Sequence, residues 1–464
     1  MPWADEMGDC EETLAALLEV SRTTEGRAAL SGALADTIYL LPSSPSHLLL
    51  LRLRLLRNLL AGDVHNQYAF VDLGGPAVVA SSVLSFLSFP SVAPGVARAA
   101  LQALGNAALA GDFHRAAVWD ALLPGPLREF AGVKDPGVLD PLCMVIDTCC
   151  AGEGGRERLV EVLCREEIGL PILVEVVTTA SQVEHKEEWI EWLLLKVCVE
   201  AQQSESLFRA LCSTNDECSD SGEYNAKHAF VFGMLSKCLT NHPKEVTVTD
   251  SFALDVFDVH KHAAETVDFT HRGSSPLPTG CPAIDVLGYS LQLLRDICAW
   301  VSPSSDTPVP VDSLLQTGLV KRLLKYLGDL EPPSTIRKSM ARGQGDNRPA
   351  LENAKVCPYI GYRRDLVSVI ANCLHGRKRV QDEVRQLNGI MLLLQQCVVD
   401  EENPYLREWG LLAVKNLLEG NEVNQKEVSE LEMQEPVITP EIANIGLKVE
   451  IDNETGRPKL VNTP

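Results

Sequence analysis

The sequence predicts an all-α protein: an α-solenoid of about eight stacked helical repeats, with a short C-terminal hairpin or extended tail. Three observations lead there. A pattern of asparagine followed by glycine recurs four times along the 464 residues, with a glutamine at a fixed offset in three of the copies. Hydrophobic residues make up 45% of the chain but aromatic residues only 5%, so aliphatic side chains must fill the core, which favours packed helices. The aligned asparagines Asn58 and Asn106 stand 48 residues apart, and Asn372 and Asn416 stand 44 apart. That is the period of arrays whose units bury their apolar faces only by stacking.

Each part of the repeat has a physical job. The segments Arg57–Gly75 (RNLLAGDVHNQYAFVDLGG) and Ala371–Gly389 (ANCLHGRKRVQDEVRQLNG) both place Asn second, Gly sixth and Gln eleventh. A third copy starts at Lys415, and a fourth, with one extra residue before its glycine, at Gly105. Before each asparagine, apolar residues at helical spacing (Leu51, Leu55, Leu56, Leu59; Leu366, Val369, Ile370, Cys373) predict a long helix. Gly62, Gly376 and Gly420 can take the left-handed conformation that stops it. A short helix follows, expected to bury Tyr68, Phe70 and Val71, or Val380 and Val384. A turn pair, Gly74-Gly75 or Asn388-Gly389, then reverses the chain into a medium helix, with Pro76 at a first helical position. The unit resembles the armadillo repeat in its asparagine-leucine pair (Asn58-Leu59, Asn416-Leu417), its asparagine-glutamine pair (Asn66-Gln67, Asn424-Gln425) and its glycine turn.

Weaker units fill the middle, where Asp147, Lys196 or Val197, and Asp296 replace the asparagine. The expected organisation is repeats over 1–243, an inserted loop over 244–282, middle repeats over 283–331, a flexible basic loop over 332–356, C-terminal repeats over 357–445 and a tail over 446–464. The tail alternates as LKVEI, then a turn, then KLV, which suits two short strands.

Charge and cysteine narrow the function. With 63 acidic and 41 basic residues the formal charge is −22, which excludes nucleic-acid binding by bulk electrostatics and favours basic partner segments. Fourteen cysteines, set mostly in apolar helical runs and without CxxC spacing, read as small core residues in a reducing compartment. The N-terminus lacks the basic start and apolar core of a secretory signal, so the expected location is the cytosol, with the perinuclear region left open. The uncharged stretch from Leu73 to Ala97 is broken by Pro90 and Pro94 and predicts a buried helix pair rather than a membrane span.

The C-terminal third is more specific. It presents in order Gln381-Asp382, Asn388-Gly389, Asn403-Pro404, Tyr405, Glu408-Trp409 and Asn416-Leu417, and this order resembles the ataxin-10 family. Cys373 stands where that family usually has leucine. The resemblance implies a non-enzymatic helical-repeat protein of the cytoplasm that binds other proteins, linked in animals to cell division and neuronal survival.

No catalytic residue, cofactor or metal is expected, since no phosphate loop, dinucleotide fingerprint, nucleophile elbow or HExxH occurs. Two alternatives stay open. One is a metal-dependent protein using a loop with His260 and His262, joined by His271 and Cys281. The other is an importin-like peptide carrier. Carriers of that class pair each asparagine with a tryptophan four residues earlier, where this chain has Arg54, Gln102, Ser368 and Leu412. The candidate partner-binding residues are Asn58, Asn106, Asn372 and Asn416, which either grip an extended peptide or satisfy neighbouring helix ends. The partners expected are other proteins, including basic segments, with no nucleic acid and no membrane; self-association is left open.

Overall fold

Leucines 48, 49, 53, 55, 56 and 59 form an apolar face wide enough to be buried on two sides, and the Ser46–Leu59 helix is built around it. Gly62, at φ +70°, stops that helix. Asp63 then accepts a hydrogen bond from the backbone N–H of Asn66 and caps the Val64–Asp72 helix. Gly74, at φ +69°, turns the chain into the Gly75–Leu87 helix, with Pro76 in its first turn. The helices Ala93–Ala108, Asp112–Leu122 and Gly125–Ala131 form a second three-helix unit, in which the third helix is the shortest, and Pro136–Cys149 opens the next. The protein is an all-α, armadillo-like α-solenoid. Its computed structural model describes residues 11–212, 224–299, 310–343, 354–431, 447–451 and 458–462.

The chain forms two compact units. The first comprises Met1–Thr266 and Gly280–Leu293, the second Val267–Thr279 and Leu294–Pro464. In the first, the long helices stack in sequence. Ala93–Ala108 packs on Ser46–Leu59, Pro136–Cys149 on Ala93–Ala108, Glu188–Leu195 on Pro136–Cys149, and Ala226–Asn241 on Glu188–Leu195. In the second, Leu406–Leu418 and Leu319–Asp329 pack on Tyr362–Leu374. The core is aliphatic as composition requires, and Cys143, Cys149, Cys198, Cys238, Cys298 and Cys373 lie buried within it.

Both expected loops contain a helix among the described residues. The stretch 244–282 holds a 17-residue helix, Asp250–Thr266, which buries Phe252, Ala253, Val256, Phe257, His260, Ala263 and Ala264. Those positions follow helical spacing, but His260 and His262 disguise it by breaking the apolar run. The remainder, 267–279, lies along 356–360 in the second unit: the N–H groups of Val356, Gly273 and Ile360 donate to the carbonyls of Phe269, Cys357 and Ser275, each at 2.9 Å. Gly273 is required for this approach, since a Cβ there would sit 2.0 Å from the Pro358 carbonyl oxygen.

The flexible basic loop expected over 332–356 likewise begins with a helix, Ser334–Gly343. Its sequence lacks the apolar stripe that core packing would need, because polar contacts hold it instead. Ser334 Oγ donates to Asp400 Oδ1 at 2.8 Å, and Arg337 and Lys338 pair with Glu402 and Glu401 at 3.0 and 3.1 Å. Residues 344–353 of that stretch lie outside the described residues. The tail forms an antiparallel hairpin, Leu447–Ile451 against Pro458–Asn462, in register from Leu447 opposite Asn462 to Ile451 opposite Pro458.

Candidate protein-interaction site

The repeated asparagines project from one long helix to the long helix before it. Asn106 Nδ2 donates to the carbonyl of Arg57 at 2.8 Å, Asn372 Nδ2 to that of Arg295 at 2.9 Å, and Asn416 Nδ2 to that of Ala371 at 2.9 Å. In each case the acceptor is the residue just before the preceding repeat's asparagine or its substitute, since Arg57 precedes Asn58, Arg295 precedes Asp296 and Ala371 precedes Asn372. Asn58 donates to Ser21 Oγ at 2.9 Å and accepts from the Arg57 guanidinium. Where lysine replaces asparagine the rung persists: Lys196 Nζ lies 2.6 Å from Asp147 Oδ1 and 3.3 Å from its carbonyl oxygen. Within each unit, then, the long helices are joined by a ladder of side-chain amides and ions. Asn416 is buried, while Asn58, Asn106 and Asn372 remain half-buried, so part of each of the latter three side chains still meets solvent.

A second set of amides clamps the glycine stops. Asn66 Nδ2 and Gln67 Nε2 reach back to the carbonyls of Leu59 and Leu60 at 3.0 and 2.9 Å. Asn424 and Gln425 do the same to Leu417 and Leu418 at 3.0 and 2.7 Å. These carbonyls are the ones a helix end leaves without intrahelical partners. Gln67 also bonds the Asn106 carbonyl at 2.9 Å, and Gln381 bonds that of Asn416 at 2.8 Å. Gln381 additionally accepts from Asn421 at 3.2 Å.

The turn residues divide into two kinds. Gly62, Gly74, Gly376 and Gly420 lie between φ +64° and +70°, and Asn388 at φ +57°. Gly75 and Gly389 instead start helices and are needed for space: a Cβ would fall 2.3 Å from the Phe70 ring and 2.7 Å from Val384 respectively. The sequence pattern does not separate the two kinds.

In the second unit the loop 400–405 is fixed from beneath. Asn403 Oδ1 accepts from the backbone N–H of Arg363 at 3.0 Å, and its Nδ2 donates to Asp400 Oδ2 at 3.1 Å. Arg272 and Arg337 each bridge Glu331 and Glu402, closing a ring of alternating charge. Arg363 is buried and donates to Gln396 and to the Glu331 carbonyl; burial lowers its basicity. Nearby Asp365 accepts from Tyr359 and Arg364 at 2.9 and 2.8 Å, yet burial still pushes its carboxyl above the usual range. These supports face inward. Tyr405 faces outward, 72% exposed, with its backbone in the left-handed region at φ +65°. Trp409 is half-buried.

The first unit has its own exposed aromatics. Tyr68, expected to be buried, is 49% exposed, because Gln67 and Phe70 occupy the inward face of its short helix. Its ring stacks on Phe113 at 6.3 Å between centroids and meets buried His114 edge-on at 4.4 Å. Phe113, Val64 and Leu109 are also exposed. The sole hint of this in the sequence is that Tyr68 and Phe113 occur on two successive short helices.

The two alternatives gain no support from this arrangement. His260 and His262 lie on a helix, where residues two apart point about 200° apart. His260 is buried against Ser290 Oγ at 3.0 Å, His262 meets the Tyr224 ring, and His271 bonds Asp268. Among the described residues no group of three or more His, Cys, Asp or Glu side chains is placed to hold a metal ion. At the positions where a carrier would show tryptophan, Gln102 bonds Arg57 and Ser368 is buried on the Asp365 carbonyl. No single helix among the described residues is long and apolar enough to cross a membrane; Val64–Asp72 and Gly75–Leu87 qualify only as a pair, bent by 72°.

Fold and ladder together define a helical-repeat protein of the armadillo-like class. The profile of the spinocerebellar ataxia type 10 protein domain matches residues 362–461, the span that contains the Asn403 loop, Gln381 and Asn416. Ataxin-10 of Xenopus tropicalis is 24% identical over 357 residues, 76% of this chain and 68% of that protein. The ataxin-10 homolog of Dictyostelium discoideum is 34% identical over 104 residues, 22% of this chain and 17% of that protein. Human ataxin-10 is 33% identical over 94 residues, 20% of each. The match therefore spans about two thirds of the frog protein but a fifth or less of the other two. Over residues 362–461 the chain carries the spinocerebellar ataxia type 10 protein domain, and over most of its length it is similar to ataxin-10.

Proposed function

We propose that this protein is a non-enzymatic scaffold that binds segments of other proteins, basic segments among them, in the cytosol. The observation that carries the reading is where the chain spends its scarce aromatic residues. Tyr68 and Phe113 stack in water, and Tyr405 stands exposed on a loop whose Asp400 and Asn403 are buried. Exposed aromatics rimmed by polar groups are enriched at the anchoring points of protein interfaces. A tyrosine held with positive φ stores backbone strain, which favours a role at the surface over one in folding. The acidic surplus would attract basic partners and speed their encounter. Participation in cell division, self-association and a contribution from Asn58, Asn106 and Asn372 belong to the same proposal.

The test is proximity labelling in cells with three forms: wild type, Tyr68→Ser with Phe113→Ser, and Tyr405→Ser. The expected outcome is loss of a distinct subset of labelled partners in each variant, with helical content unchanged. Identical partner sets from all three folded proteins would overturn the reading.

A further inference from the structure

The outer face of the Val64–Asp72 helix reads Val64, Tyr68, Asp72, each one turn from the next. All three are exposed. The next short helix, Asp112–Leu122, adds Phe113, whose ring lies nearly parallel to that of Tyr68, at 16°, with the centroids 6.3 Å apart. A third plane between the rings would need about 7 Å, two van der Waals contacts, so a ligand lies over the pair and not within it. His114 forms the floor. Its ring stands at 78° to Tyr68 and 81° to Phe113 and is buried, with no hydrogen-bond partner for either nitrogen among the described residues. Burial lowers its basicity, so at neutral pH it places no positive charge beneath the rings.

Asp72 runs against local rules. It closes its helix, where the carbonyl ends disfavour an acid, and the last turn holds no basic residue to offset it. Among the described residues it has no ion pair and no side-chain hydrogen bond. Arg115, on the neighbouring short helix, is already held by Asp112 at 2.7 Å. The Asp72 charge nonetheless acts on His114, which sets this free carboxylate beside the aromatic pair. The spacing of Val64, Tyr68 and Asp72 is visible in the sequence, but the second ring comes from a helix forty residues further on.

We propose that this face is the docking site for an arginine side chain of a partner segment. The guanidinium plane lies over the Tyr68–Phe113 pair, its N–H groups donate to the Asp72 carboxylate, and an aliphatic residue next to the arginine covers Val64. Three requirements meet in that one side chain. Stacking on the rings needs a plane, the carboxylate needs a charged donor, and the carbonyl end of the helix favours a cation. Lysine brings the charge without the plane, and phenylalanine the plane without the charge. The inference rests on the scaffold reading and names the partner chemistry at one of its anchoring points.

Short random peptides displayed on phage and selected against the full chain supply the probe. The wild type should enrich peptides with arginine beside an aliphatic residue, and Tyr68→Ser with Phe113→Ser should not. By fluorescence anisotropy, a synthetic peptide from that set should bind Asp72→Asn about tenfold more weakly than the wild type. Glu427→Gln, which removes the same charge from an exposed position in the second unit, should bind it as the wild type does. Citrulline in place of arginine keeps the plane and loses the charge. That peptide should bind the wild type about tenfold more weakly, and Asp72→Asn no more weakly than the wild type. Equal binding of arginine, lysine and citrulline peptides, or an unaltered affinity in Asp72→Asn, would overturn the inference. Selected peptides that need Tyr68 and Phe113 but carry no arginine would overturn it too, and leave the scaffold reading standing. Selection of no peptide that needs those rings counts against both.

Discussion

Asn416 donates its side-chain amide to the carbonyl oxygen of Ala371 at 2.9 Å, tying the long helix of one repeat to the long helix of the repeat before it. Because Asn416 is buried, its removal strands a carbonyl away from water. Asn416→Ala should cost roughly 1–3 kcal/mol, and Asn58→Ala, which faces water in part, about 1 kcal/mol or less. Urea denaturation would show this as a lowered midpoint with unchanged slope. An Asn416→Ala midpoint equal to wild type would mean the rung contributes nothing.

Gln381 joins three elements: it donates to the Asn416 and Glu419 carbonyls at 2.8 and 3.1 Å and accepts from Asn421. Gln381→Leu keeps the volume and removes every bond. We expect a loss of about 2–3 kcal/mol. Hydrogen exchange should show faster opening at the end of Leu406–Leu418 and the start of Glu422–Ser429, while the Ser46–Leu59 region is unaffected.

Glycines of the two kinds should respond differently to alanine. At Gly62 a Cβ meets nothing within 4 Å, so Gly62→Ala costs only the left-handed backbone, roughly 1 kcal/mol, and Gly62→Asn costs less. At Gly75 the Cβ collides with the Phe70 ring and its carbonyl oxygen, so Gly75→Ala should cost roughly 3 kcal/mol. The reverse order in thermal melts would contradict this division.

His260 predicts a pH dependence. Burial lowers its basicity from 6.5 to about 4 in the folded state. The unfolded chain therefore takes up the proton first as pH falls, and stability is lost from about pH 6.5 down to about pH 4, on the order of 3 kcal/mol in full. Above that window the group contributes no pH dependence. His260→Gln should flatten the stability profile between pH 6.5 and 4.5 relative to wild type, measured by urea unfolding at each pH. Parallel profiles would show that His260 does not titrate on unfolding.

Much of the fold is legible because the repeat writes local rules. The leucine spacing before Asn58, the glycine at 62 and the capping Asp63 each act within one or two turns, so each can be recognised without knowing its neighbours. Reading falters where partners are remote in sequence. The helix Ser334–Gly343 has almost no apolar signal, since the acidic loop 400–402 supplies what holds it. Asp250–Thr266 is written plainly in its apolar spacing and is obscured only by the histidines, whose metal-like pattern competes with it.

The sequence by itself determined the helical repeat, its stops and turns, and the family order of the C-terminal third, because these follow from periodicity, backbone freedom and capping, all short-range. Tertiary structure alone decided what the repeated amides bond and which aromatics stay in water. Those outcomes depend on which carbonyl or ring another helix brings within about 3–4 Å, a distance that is fixed only once the helices have packed.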